Sequence, residues 1–375
     1  MAGLYIHIPF CARRCLYCDF YSNVEMKYKD AFLTALLKEM AMRRDYLESE
    51  PVETIYIGGG TPSQLTIDDL RRIFDTIYSL FSIRGEIEVT LEANPDDMTP
   101  GYVKSLRALP VNRISMGVQS FHEADLAFLQ RRHNREQAIQ AVSLCKDNGL
   151  DNISIDLIYG LPGQTVEAWK ENLDEAIRLG IPHLSAYHLI YEEGTKLNQL
   201  KESGKIKPVD EEISLSLFSV LIERLIKVGY IHYEISNFAY PDKISIHNSS
   251  YWIGKKYLGV GPSAHSYNIE SRQWNVSSLI HYIKGIMADT PEIEIEMLNI
   301  PNKYNDYIIT GLRTMWGISL SYILTNFGKK MQNYCLKQAT PFINRGLIRY
   351  SDDKLLLSRE GMFISDGIMS DLLWI

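Results

Sequence analysis

Three of the chain's five cysteines stand within eight residues, in the run Cys11-Ala-Arg-Arg-Cys15-Leu-Tyr-Cys18. Thiolates are soft ligands that suit iron–sulfur clusters or zinc. Cluster ligation ordinarily takes four cysteines, but this run stops at three, because Asp19 and Phe20 follow Cys18. A four-iron cluster held here leaves one iron without a protein thiolate and open to an exogenous ligand. A structural zinc site is the competing reading. It needs four ligands, and the C-x3-C-x2-C spacing is not the usual zinc-finger pair. The spacing favours the cluster. Cys145 and Cys335 lie in helical-looking stretches and read as small core residues, since free cysteine is usually buried.

The elements that must position this loop alternate regularly. Strands are predicted over 4–8, 54–57, 86–92, 113–118, 153–159 and 184–190, with helices near 28–47, 67–81, 100–108, 135–148 and 166–179. Strict β–α alternation gives a parallel sheet with right-handed crossovers. Six units are too few for a closed eight-stranded barrel, yet they can curve into an open one. In the third strand Ile87, Val89 and Leu91 share one face, and Glu88, Thr90 and Glu92 the other. In the fourth, Ile114, Met116 and Val118 oppose Arg113, Ser115, Gly117 and Gln119; in the fifth, Ile153, Ile155 and Leu157 oppose Ser154 and Asp156. A half-solvated antiparallel sheet alternates in the same way. The interleaved helices argue for a parallel sheet covered on both faces, whose polar inner face lines a hydrated or ligand-filled lumen.

Chemistry in such barrels sits at the C-terminal ends of the strands. Tyr5, the cysteine loop, Glu92, Gln119 and Asp156 are therefore expected to face one cavity. Gly58-Gly-Gly-Thr-Pro62 closes the second strand and lets backbone approach a ligand closely. It is not a P-loop, because no Gly-Lys-Ser/Thr follows. Gly160-Leu-Pro-Gly-Gln-Thr165 reads either as a βα turn with Thr165 as N-cap or as part of the cavity. Beyond about residue 230 the pattern becomes aromatic and irregular. From about 301 short helices dominate, with a strand of a small hairpin near 355–358. The fold class is α/β: an open, partial (β/α)6 TIM-like barrel over 1–235, with a smaller, mainly helical C-terminal domain over 236–375. The border falls between 230 and 300.

Composition bounds the partners. The 375 residues are 46% hydrophobic, normal for a chain that buries a full core. The net charge of −7, with no long basic run, argues against nucleic acid. No signal peptide and no transmembrane segment are visible, so membrane contact is expected to be peripheral at most. Clustered cysteines are not a disulfide framework, and a reduced cytoplasm is the expected location.

The cysteine loop, with Tyr5-Ile-His-Ile-Pro-Phe-Cys11 before it, resembles the cluster loop of the radical S-adenosylmethionine (SAM) superfamily. The longer string is similar to the oxygen-independent coproporphyrinogen III oxidase branch, which includes HemW-type haem chaperones. The resemblance implies a [4Fe-4S] cluster on Cys11, Cys15 and Cys18 whose open iron is chelated by SAM. It places SAM contacts at Tyr5, Tyr17, Gly59, Gly60, Thr61, Glu92, Gln119, Arg131, Asp156 and, through its backbone, Ile190. Arg131 could pair with the SAM carboxylate, as could its neighbour Arg132. True oxidases of the branch carry a further cysteine where Phe20 stands, and a long segment ahead of the cluster loop. Both departures resemble the chaperones.

His247-Asn248-x-x-Tyr251-Trp252 is similar to a motif associated there with haem binding, which makes His247 the implied haem ligand, with aromatic surface for a porphyrin. His7, His133 and His265 read as structural. The implied function is a haem chaperone that binds haem and a SAM-ligated cluster and delivers haem to haem-dependent, respiratory proteins. The alternative is the enzyme, a coproporphyrinogen III oxidase that uses a 5′-deoxyadenosyl radical. A homodimer is among the expected partners, alongside haem, SAM and haem-accepting proteins.

Overall fold

The computed structural model describes residues 2–375. Six strands run parallel and in sequence order: β1 (Ala2–Ile8), β2 (Val52–Gly59), β3 (Ile83–Ala93), β4 (Arg113–Gln119), β5 (Ile153–Tyr159) and β6 (His183–His188). Helices Lys29–Met42, Ile67–Leu80, Pro100–Leu106, Arg135–Asp147 and Val166–Arg178 fall between them. The start signals are legible in the sequence. Thr66 and Asp69 form a capping box on the second helix, and Asn134 and Gln137 one on the fourth. Thr165 caps the fifth, so the glycine-rich segment after β5 is a βα turn.

The two strand faces do separate jobs. Val89, Leu91, Ile114, Met116, Ile153 and Ile155 join one large apolar core with the helices. Glu88, Thr90, Arg113, Ser115 and Ser154 point the other way and are buried too. The sheet is therefore covered outside by apolar packing and lined inside by polar groups.

The first helix and the sixth strand both end earlier than the sequence reading places them. The helix expected to reach 47 ends at Met42. Arg43 caps it there and gives its guanidinium to Gly259 O, Ser266 Oγ and Gln273 Oε1. The sixth strand stops at His188 rather than 190, because its partner β5 ends at Tyr159.

The sheet continues past residue 235. A hairpin of β7 (Ile231–Glu234) and β8 (Asn237–Ala239) adds antiparallel to β6. At the other edge β9 (Tyr257–Val260) pairs parallel with β1, followed by β10 (His265–Tyr267), β11 (Ser271–Asn275) and β12 (Ile293–Met297). The result is an open sheet of 12 strands. Buried Glu39 ties the added strands to the first helix. Its carboxylate accepts from Gly261 N, Tyr282 Oη and Asn275 Nδ2 at 2.6–2.8 Å. A separate core runs from Tyr304 to Leu372. It surrounds a small sheet of β13 (Ile318–Ser319), β14 (Ile348–Ser351) and β15 (Lys354–Leu357), the last two forming the expected hairpin. Cys145 lies in the first core and Cys335 in the second. Among the described residues no helix is long and apolar enough to cross a membrane.

Candidate functional site

The cysteine loop leaves β1 at the C-terminal edge of the barrel. Cys11 N donates to Asn23 O at 2.9 Å, closing the loop on itself. Leu16 packs in a small apolar cluster with Leu129, Ile158 and Leu197, and the rim of Tyr17 joins it. This cluster pins the middle of the loop, leaving Cys11 buried and Cys15 and Cys18 half-buried. Thr61 Oγ1 donates to Cys11 Sγ at 3.4 Å, and Arg131 Nη1 to Cys15 Sγ at 3.2 Å. All three cysteines are free thiols. Burial pushes Cys11 up and Cys18 up to about 11, so metal binding here releases protons. Among the described residues no three His, Cys, Asp or Glu side chains close on a single metal ion. A structural zinc site takes four protein ligands, whereas this loop supplies three free thiols, the donor set of a cluster that leaves one iron to another ligand.

The glycines after β2 bring backbone against the loop. Gly60 N donates to Ile8 O at 2.7 Å, and a Cβ on Gly60 would lie 2.7 Å from Phe10 O. Gly59 has φ +107°, which excludes most side chains. Its N–H donates to Glu92 Oε2 at 3.0 Å, and Tyr56 Oη donates to Glu92 Oε1 at 2.7 Å. Burial pushes the Glu92 carboxyl up to about 7 and the Asp156 carboxyl up to about 6.

Arg131 spans the cup. Its Nη2 donates to Asn94 Oδ1 and to Gly117 O, both at 2.6 Å, while its Nε is buried with no partner among the described residues. Arg132 instead pairs with Asp96 and Asp97 at 2.6 and 2.9 Å, which separates the two arginines that sequence left side by side. Gln119 ends β4 with φ +70°, at a register shift against β5. That strain aims its amide back toward Gly117. Tyr5 Oη and His7 Nδ1 lie 3.0 Å apart, and His7 Nε2 lies 3.0 Å from Tyr21 O. The carbonyl fixes the proton on Nε2, so Tyr5 donates and His7 accepts. Burial holds His7 neutral, down to about 4. This link from strand to loop was not read from the sequence. Ile190 lies beyond β6 and is exposed.

Tyr5 and Asp156, midway along β1 and β5, and Gly59, Gly60, Thr61, Glu92, Gln119 and Arg131, at strand ends and loops, thus lie on neighbouring elements of the barrel that carries the cysteine loop. A carboxylate and a guanidinium beside a glycine turn are the groups that would hold a zwitterion such as an amino acid.

His247 sits elsewhere. Helix Ile246–Trp252 is anchored by Glu88, whose carboxylate accepts from Ile246 N and His247 N at 2.9 and 2.8 Å. The imidazole is 1% exposed and stacks on Tyr56 at 5.0 Å between centroids. Its Nδ1 is 2.8 Å from Thr54 Oγ1 and its Nε2 is 2.8 Å from Tyr251 Oη. Thr54 and Gly3 begin their strands, so the ring lies toward the N-terminal edge of the barrel, away from the cysteines. As folded, both ring nitrogens are engaged by hydroxyls. An iron could reach either one only after a hydroxyl leaves it.

Comparison with known proteins follows this geometry. The radical SAM superfamily profile matches residues 5–176, and the HemN C-terminal domain profile matches residues 301–364. A protein named heme chaperone HemW from Lactococcus lactis is 33% identical over 371 residues, which cover 98% of this chain and 96% of that one. One of the same name from Bacillus subtilis is 31% identical, covering 100% and 99%. Among solved structures, the coproporphyrinogen III oxidase HemN from Escherichia coli matches with a TM-score of 0.86 and 23% identity, covering 99% of this chain and 90% of that one. At that identity the likeness shows the fold, an open radical SAM barrel with a helical C-terminal domain. The chain belongs to the HemW family of the radical SAM superfamily.

Proposed function

We propose that this protein is a haem chaperone that binds haem and a SAM-ligated [4Fe-4S] cluster and delivers haem to haem-dependent proteins, respiratory ones among them. The observation that carries the cofactor reading is the cup itself. Three free thiols share one loop, with Thr61 on Cys11 and Arg131 on Cys15, at the strand edge that also carries Glu92 and the Gly58–Gly60 turn. The relatives' name, haem chaperone, brings haem to this chain.

Cys11, Cys15 and Cys18 would hold the cluster. When bound, the cluster supplies an electron and an open iron for the amino-acid end of SAM. The chain's own residues orient the ligand. Glu92 keeps its carboxylate beside Gly59 N, ready for an ammonium group. Arg131 holds cationic charge between Cys15 and Asn94 and can meet a carboxylate. Gln119 and Asp156 line the side where a ribose would lie, and Tyr17 offers a flat wall for adenine. The backbone of Ile190, without a partner among the described residues, is available at the rim. His247 is the residue the sequence motif nominates for haem, and it would have to exchange Tyr251 or Thr54 for iron.

The test uses one anaerobically reconstituted sample. SAM is added, haemin is titrated, and coproporphyrinogen III is then offered with a reductant. Stoichiometric haemin uptake without protoporphyrinogen formation supports the chaperone. Catalytic turnover would overturn it in favour of the oxidase.

A further inference from the structure

The open sheet has two edges, and the chain covers only one of them. At β7 the turn before β13 adds backbone: Met315 N donates to Tyr233 O at 2.9 Å, and Ile235 N donates to Arg313 O at 3.1 Å. At the far end β12 pairs with β11 alone. Val276 N donates to Glu292 O at 3.1 Å and Leu298 N to Glu270 O at 2.9 Å, so the even-numbered residues of this stretch turn their backbone to β11. Alternation along an antiparallel strand then turns the N–H and C=O of Ile293, Ile295 and Met297 outward. None of these groups finds a partner among the described residues.

The side chains sort with the same period. Ile295 is 59% exposed and Met297 70%, on one face of the strand with Ile293. Glu292, Glu294 and Glu296 stand on the other. Arg272 pairs with Glu296 at 3.2 Å and with Asp306 at 3.3 Å, so one cation already serves two acids. Glu292 meets only the exposed imidazole of His281, at 3.5 Å, and Glu294 makes no ion pair among the described residues. This edge therefore offers an open ladder, an uncovered apolar face and an excess of negative charge. It lies four strands from β1 in the sheet order, away from the cysteine loop.

We propose that β12 is a docking edge for an extended segment of another protein in which basic and apolar residues alternate. Strand addition draws its affinity from main-chain bonds and its specificity from alternate side chains. Lysine or arginine on the added strand meets Glu292 and Glu294, while its apolar residues cover Ile295 and Met297. A second copy of this chain fits poorly. Antiparallel pairing centred on Ile295 sets Glu294 of one chain against Glu296 of the other, and like charges directly opposite are destabilising. The same glutamates that discourage self-association, a known use of charge on sheet edges, select a basic partner.

The test is fluorescence anisotropy of a labelled synthetic peptide that alternates lysine with valine and threonine, titrated with the full chain at low salt. It should bind, weaken as salt rises, and bind at least about tenfold more tightly than a peptide of the same composition with its lysines grouped together. Ile295→Pro removes one outward N–H and leaves the β11 ladder intact, as proline can on an edge strand. It should abolish binding at an unchanged melting temperature. The E292K/E294K double variant changes only exposed side chains. It should bind the lysine peptide about tenfold more weakly and should favour a version carrying glutamate in place of lysine. If Ile295→Pro melts lower than wild type, the double variant decides. No binding by wild type, equal binding of the two lysine peptides, or undiminished binding by the variants would overturn the proposal. A concentration-dependent dimer that Ile295→Pro dissolves would assign the edge to a second copy and overturn it as well. Neither haem nor SAM enters the assay, so its failure leaves the carrier reading standing.

Discussion

The guanidinium of Arg131 donates to Cys15 Sγ at 3.2 Å while its other end grips Asn94 and the Gly117 carbonyl. One cation thus joins the cluster loop to the ends of β3 and β4. A side chain so placed sets loop position and ligand charge together. Arg131→Met should weaken SAM binding to the reconstituted protein by about tenfold to a hundredfold, the worth of a charge-assisted hydrogen bond of roughly 1.5–3 kcal/mol. Isothermal titration checks this. Arg131→Lys should recover little, because an ammonium cannot span the three acceptors.

Each cluster cysteine should be needed. Replacing Cys11, Cys15 or Cys18 by Ala should remove the visible absorbance gained on reconstitution, and Cys145→Ala, in the apolar core, should not. An unchanged spectrum in the three loop variants would remove the cluster assignment.

Glu92 makes stability depend on pH. Its folded value, about 7, stands above its unfolded one. The native state therefore binds the extra proton, and stability is lost as pH rises through the window from about 4.5 to 7. Asp156, about 6 when folded, acts in the same direction. Without SAM, the melting temperature should rise between pH 8 and pH 5.5. Glu92→Gln should flatten that slope by about 1–2 kcal/mol, discounting for its partial contact with water. A melting profile with the opposite slope would contradict the assignment.

Gly60→Ala should be costly. The added methyl would lie 2.7 Å from Phe10 O, a backbone atom that cannot swing aside. Overpacking of this kind costs about 1–3 kcal/mol, measurable as a lower urea midpoint with unchanged m.

Arg113 stands in the lumen with all three guanidinium nitrogens unpartnered among the described residues and 1% exposure. Its charge lowers both Glu92 and Asp156. Arg113→Met should relieve a buried unpaired charge and move the pH window of Glu92 upward. Melting curves of the variant against pH would show the displacement.

The barrel was legible because its signals are local. Period-two alternation marked the inner and outer faces, and Thr66, Asn134 and Thr165 marked helix starts. The cysteine spacing marked the loop. What sequence could not show came from contacts distant along the chain. The Glu88 bonds to the His247 helix span about 160 residues, and no local pattern says that an imidazole beside aromatic residues will be shut inside the sheet. Arg131 and Arg132 are adjacent in sequence, and only the placement of Asp96 and Asp97 divides their roles. Residues 236–297 read as a separate unit because the pattern turns irregular there. They nonetheless extend the same sheet, since the β1 edge needs a partner.

That pairing orders events at the ribosome. Gly3 lies in register with Tyr257 and its N–H donates to Lys256 O at 3.0 Å, so one edge of the first strand to emerge waits for a neighbour translated well past the middle of the chain. Until then the nascent chain carries an unfinished ladder beside three thiols without a ligand. Metal loading before release would therefore act on a half-built cradle.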